Sequence, residues 1–134
     1  AKQIEGEWRF VEVQLEGRQV SFETRPGWND KRWIVKGNEL TSTPVGQPGR
    51  VVRERKSRIS LDATKSPKHL NLTSLDGNEK DMTFACIYEL DKDRLKICSP
   101  YFYNIVDPSN RPNEFTTNAG DGRMLYVLER VKSN

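Results

Sequence analysis

The sequence predicts an all-β protein, a single antiparallel up-and-down β-barrel of about eight strands that takes in residues 1–134 as one domain. Three observations carry this prediction. Apolar and polar residues alternate along most of the chain, while helical periodicity is nearly absent. Turn signals punctuate the alternation every ~8–12 residues, the spacing of short strands. The alternating runs follow one another through short turns, and a meander of that kind leaves no open edge when it rolls into a barrel.

The first strand covers about 6–15, with Trp8 and Phe10 on one face and then Val11, Val13 and Leu15. The change of phase between Phe10 and Val11 predicts a β-bulge, a device common where barrel strands bend. Residues 16–30 hold Gly17, Pro26-Gly27 and Asn29-Asp30 and form the longest irregular connection. In a barrel this segment crosses one mouth, with Val20, Phe22 and Trp28 available to pack down on it. Lys31–Lys36 and Glu39–Thr43 make a hairpin about the tight turn Gly37-Asn38. After the loop Pro44–Gly49, Arg50–Ala63 is a long strand or a bent pair. Lys68–Ser74, 81–90, Arg94–Tyr101 and 123–131 complete the set, separated by Asp76-Gly77-Asn78, by Asp91-Lys92-Asp93 and by the Pro-rich loop around Asp107–Pro112.

Within 81–90, Met82, Phe84, Cys86, Tyr88 and Leu90 share one face, and Leu95 and Ile97 form the apolar face of the next strand, which leaves Cys98 outward with Arg94 and Lys96. The two thiols therefore point to opposite sides of the sheet, a geometry that disfavours a disulfide. Two reduced thiols lean toward a reducing, cytoplasmic compartment. An exported precursor that lost its signal before Ala1 and a cytosolic one that lost its initiator Met both fit the N-terminus.

Composition narrows the function classes. The hydrophobic residues make up 34% of the chain, a lean core that suits a thin-walled shell with polar interior positions or a protein with long polar loops. With 22 basic and 19 acidic residues the net charge is +3. The charge is well mixed, only Arg50–Arg58 is clustered, and no basic face with interleaved aromatics points to nucleic acid. No apolar run reaches the ~18 residues of a membrane-spanning segment.

Several ordered stretches resemble one set of lipocalin-like (calycin) domains, the small planctomycete lipocalin-like family, whose members have no established activity. They are Ile4-Glu5-Gly6-Glu7-Trp8 with Glu16-Gly17, Ser66–Thr73, Ile87–Leu90 with Asp93–Cys98, Arg111–Phe115, and Leu125–Arg130. The resemblance implies a lipocalin-like barrel and small-molecule binding, and it implies no reaction. It also assigns Gly6, Trp8 and Arg130 to a structural signature. Gly6 lets the chain turn in tightly, the Trp8 indole plugs the base, and the Arg130 guanidinium lies across its face as a cation–π lid. Two positions depart from the family pattern: Asn71 stands where an Asp is usual, and Cys86 where a Gly is usual.

Five residues are candidates for ligand contact. On an unbroken strand Arg53 and Arg55 share the apolar face of Val51, Ser57, Ile59 and Leu61 and point inward, where a carboxylate would satisfy them bidentately. A bulge near Lys56-Ser57 would instead reverse the phase and leave both in water. Tyr88 is a core or cavity-lining residue whose hydroxyl needs a partner, and Asn71 is one. Arg111, before Pro112 and Phe115, anchors a loop or guards the barrel mouth. Trp28, with Tyr101 and Tyr103, forms an aromatic rim or is simply an exposed aromatic.

No metal, cofactor or catalytic set is expected. His69, the only histidine, alternates with Leu70 and Leu72 and so lies outward, and no Cys or carboxylate cluster accompanies it. Asp76–Asp81 fails as a calcium loop at Lys80. The function expected from these readings is a non-catalytic barrel holding a small lipophilic or anionic molecule in its interior. The alternative is a protein–protein interaction or inhibitor-like module that uses its mouth loops or outer face.

Overall fold

The structure, a computed structural model, describes residues 2–44, 54–77, 80–100, 111–120 and 122–132. Its strands are β1 (Gly6–Leu15), β2 (Arg18–Gln19), β3 (Arg32–Lys36), β4 (Glu39–Ser42), β5 (Arg55–Asp62), β6 (Lys68–Ser74), β7 (Thr83–Asp91), β8 (Arg94–Pro100) and β9 (Arg123–Arg130). From β3 to β9 each strand pairs antiparallel with the next, and β1 pairs with both β3 and β9. Eight strands thus close an up-and-down, lipocalin-like barrel. The two-residue β2 only folds back on the end of β1 across the turn Glu16-Gly17. Both turn residues have positive φ, the backbone sense that a two-residue hairpin loop requires.

The expected bulge is present. The β1–β9 register slips between Phe10 and Glu12, so Trp8 and Phe10 face inward before the slip and Val13 after it. β6 spans the residues its alternation marked. The connection expected to be irregular over 16–30 is more ordered than that, since it holds β2 and a short 3-10 turn at Pro26–Asn29.

One end of the barrel is sealed. A 3-10 turn at Lys2–Ile4 crosses it, and Trp8, fully buried, donates from its indole Nε1 to Ile4 O at 2.9 Å. Arg130 lies directly across the ladder from Trp8, with its guanidinium carbon 4.4 Å from the indole ring centroid. The same guanidinium donates to Glu5 O, to Gln3 O at 3.2 Å and to the Asp93 carboxylate at 3.0 Å. One side chain therefore ties the entering segment, the β7–β8 turn and the last strand to the plug. Gly6 is required here: its φ is +129°, and a Cβ would sit 3.1 Å from Arg130 Nη1. Above this floor Val35, Ile59, Leu70, Leu95 and Leu128 pack as one buried cluster with Trp8.

A second, smaller apolar cluster lies outside the barrel wall. Cys98 does point outward, as its alternation indicates, but it is not solvated. It packs with Ile87 and Leu125 under Phe115, and its Sγ lies 3.8 Å from Thr116 O. The chain over 111–117 thus covers this part of the wall. Cys86 faces the interior, neither cysteine is in a disulfide, and burial pushes the Cys86 thiol well up from its ordinary pKa.

Candidate functional site

The end opposite the plug encloses a cavity of about 920 Å³. Its walls follow from strand alternation. Leu40, Leu72, Phe84, Cys86, Ile97, Met124 and Tyr126 are inward-facing residues of five strands, β4 and β6 to β9, and Phe10 and Trp33 add the β1 and β3 walls. One step nearer the mouth the inward positions turn polar, with Ser42 on β4, Ser57 on β5, Ser74 on β6 and Ser99 on β8 all lining the cavity. The interior thus grades from an apolar, aromatic body to a collar of hydroxyls.

Two cations sit on one side of that collar. Lys31 precedes β3 with the parity of Trp33 and Val35, so its side chain turns inward. Its Nζ donates to Ser42 Oγ at 2.9 Å and to Thr43 O at 2.6 Å, and lies 5.6 Å from the Phe10 ring centroid. Burial and then the neighbouring positive charge of Arg55 push its pKa down to about 8. Arg55 begins β5 opposite Ser42 in an unbroken register, lines the same cavity and shares its face with Ser57 and Ile59. No Asp or Glu is among the described lining residues.

The segment after β2 covers part of the mouth. Trp28, in the Pro26–Asn29 turn, meets Phe10 edge-on at 5.7 Å and stacks on Phe22 at 6.1 Å, and it lines the cavity. Phe10 in turn packs edge-on against Trp33 and Tyr126. The upper wall is therefore an aromatic lattice with a charged margin.

The sequence candidates divide on this geometry. Trp28 and Arg55 meet at the cavity, and for Arg55 the inward alternative is the one observed, with no phase-reversing bulge between Arg55 and Arg58 in the β4–β5 ladder. Arg53, Tyr101 and Tyr103 lie outside the described residues.

Tyr88 is corrected from cavity to core: it is buried in the cluster around Trp8, one inward position below the lining residue Cys86. Burial, then the nearby Asp62 carboxylate, raises its pKa. Asn71 is not its partner, since Asn71 lies on the outer face of β6.

Arg111 is corrected from mouth to outer wall. Its guanidinium donates to Cys86 O and to Asn71 Oδ1, each at 2.7 Å, and pins the chain segment that ends over Cys98. That is the loop-anchor alternative, and the reason is positional, because both acceptors open to the outside of the β6–β7 pair.

His69 also faces outward, and among the described residues no cluster of His, Cys, Asp and Glu is arranged to hold a metal ion. None of the helices among the described residues is long and apolar enough to cross a membrane.

Comparison with known protein families, with curated proteins and with solved structures finds no match for this chain. The cavity itself is what bears on function. Its most distinctive member, Lys31, escaped the sequence reading, although its parity with Trp33 and Val35 carried the signal. A lysine at a strand end ordinarily lies in water, whereas this one turns onto Ser42, Thr43 and the Phe10 ring.

Proposed function

We propose that this is a non-catalytic, lipocalin-like binding barrel whose ligand is a small amphipathic molecule with an anionic head group. The apolar part lies against Leu72, Phe84, Ile97 and Tyr126, and the head group lies between Lys31 and Arg55 within reach of the serine collar. The observation that carries this reading is the pairing of a 920 Å³ apolar cavity with two cations on one side of its rim and no acidic side chain among the described lining residues. A carboxylate there gains charge-assisted hydrogen bonds and relieves the mutual repulsion that Lys31 and Arg55 exert. The volume lies within the range of small-molecule sites, about 300–1,000 Å³.

Displacement of the fluorescent carboxylate 11-(dansylamino)undecanoate tests the reading. Decanoate should displace it at concentrations about tenfold lower than decanol, the difference expected of a hydrogen bond to a charged group. The double variant Lys31→Met/Arg55→Met should lose that preference, whereas Arg111→Ala, on the outer wall, should keep it. Absence of saturable probe binding, or equal displacement by acid and alcohol, overturns the reading.

A further inference from the structure

We propose that Lys31 Nζ is also a covalent capture site, holding a long-chain aldehyde inside the cavity as a reversible imine. The inference rests on the binding reading above and names a second ligand class for the same site. A lysine captures a carbonyl when its amine is buried beside the carbonyl's binding space, can shed its proton near neutral pH, and has a proton donor within reach.

All three conditions meet at Lys31. The Nζ is part-buried at the rim of an apolar cavity large enough for an alkyl chain, held on Ser42 Oγ and Thr43 O. Burial together with the Arg55 charge lowers its pKa to about 8. About one molecule in ten is then neutral at pH 7, against roughly one in three thousand for an ordinary lysine. The other charged or titratable groups among the described lining residues are Arg25 from the covering segment, Cys86 from β7 and Tyr126 from β9, and none is an acid that would hold the ammonium charged at this pH. On the outer side Arg32 donates to Lys31 O and pairs with Glu7, which keeps that carboxylate occupied away from Nζ.

The step balances with groups already present. The ammonium commits two N–H bonds to Ser42 Oγ and Thr43 O, so loss of the third proton leaves a lone pair free of those acceptors. That pair attacks the carbonyl carbon, and the carbonyl oxygen takes up a proton to give a carbinolamine. The C–O bond then breaks and the hydroxyl departs as water, with the Ser42 hydroxyl, 2.9 Å from Nζ, positioned to pass the proton. One aldehyde and one amine become one imine and one water, and no oxidant or reductant is consumed. Hydrolysis by the reverse path releases the aldehyde.

The experiment incubates the intact protein with decanal at pH 7.5, traps imines with cyanoborohydride and maps the alkylated sites by peptide mass spectrometry. Lys31 should carry at least about tenfold more adduct than the average of the other lysines, in line with its larger neutral fraction. Its labelling should rise severalfold from pH 6.5 to pH 8.5 and then level. Decanoate should protect Lys31 alone. Lys31→Arg, which cannot form the imine, should remove this adduct, and its thermal melt checks that it is folded. Adduct spread evenly over the lysines, or labelling of Lys31 that decanoate leaves unchanged, overturns the inference. Saturable probe binding without a Lys31 adduct overturns the imine alone, whereas failure of probe binding overturns the binding reading with it.

Discussion

Replacing Lys31 with Met should make the stability of the protein less dependent on alkaline pH than that of the wild type. The magnitude follows from the proton balance. In the unfolded chain the ammonium titrates near 10.5, and in the fold its pKa is lowered to about 8 by burial and then by Arg55. Between these values the unfolded state keeps a proton that the folded state has released, so wild-type stability rises with pH across this window. Integrated from pH 7 to pH 10, the gain is about 2 kcal/mol. Below pH 8 the fold holds a desolvated ammonium, a cost partly offset by its bonds to Ser42 Oγ and Thr43 O. The Met variant carries neither the cost nor the bonds, so its absolute stability at pH 7 decides little. The informative quantity is the difference between wild type and variant at two pH values, in which the lysines and tyrosines common to both cancel. Urea unfolding followed by tryptophan fluorescence at pH 7 and pH 10 gives it directly. The difference should move in favour of the wild type by about 2 kcal/mol. A difference constant to within about 0.5 kcal/mol would mean that Lys31 titrates as a solvated lysine, and both the cationic rim and the capture chemistry would lose their basis.

Two further outcomes are expected. Gly6→Ala places a methyl 3.1 Å from Arg130 Nη1 on a backbone held at φ +129°, and should lower the unfolding free energy by about 2–4 kcal/mol, the sum of backbone strain and a disturbed cation–π contact. A urea midpoint indistinguishable from wild type would contradict the account of the sealed end. Both thiols should resist an aromatic disulfide reagent in the native protein and react fully in guanidinium, because Cys86 and Cys98 are buried on opposite faces of the wall; rapid native reaction of either would refute that placement.

The parts of this molecule that sequence reasoning reached are those governed by local rules. Alternation bounded by Pro67 and by Asp76-Gly77 marked β6 over Lys68–Ser74, and the broken parity at Phe10 marked the bulge that the β1–β9 ladder contains. The Trp8–Arg130 contact was reached through resemblance rather than periodicity. What local rules miss is which surface a distant segment covers. Arg111 reads first as a loop anchor and also as a mouth guard, and only its acceptors, Cys86 O and Asn71 Oδ1, place it on the outer wall. Cys98 has the outward parity of a solvated residue, and only the return of the chain over Phe115 and Thr116 buries it. Tyr88 has the right parity for a ligand contact but the wrong depth, since depth depends on where the floor lies and on which side chains fill the layer above it.

The clasp at Arg130 also bears on how the barrel would behave under mechanical load. Gly6 and Arg130 lie at the same end of neighbouring antiparallel strands, so a force pulling the two apart would peel β1 from β9 one pair at a time, starting there. The first rung to open is the one where the guanidinium spans the indole and grips Glu5 O, Gln3 O and Asp93. Resistance to tearing is thus gathered at the lip of the seam, where that side chain is backed on the very next pair by the Arg9–Glu129 ion pair at 2.6 Å.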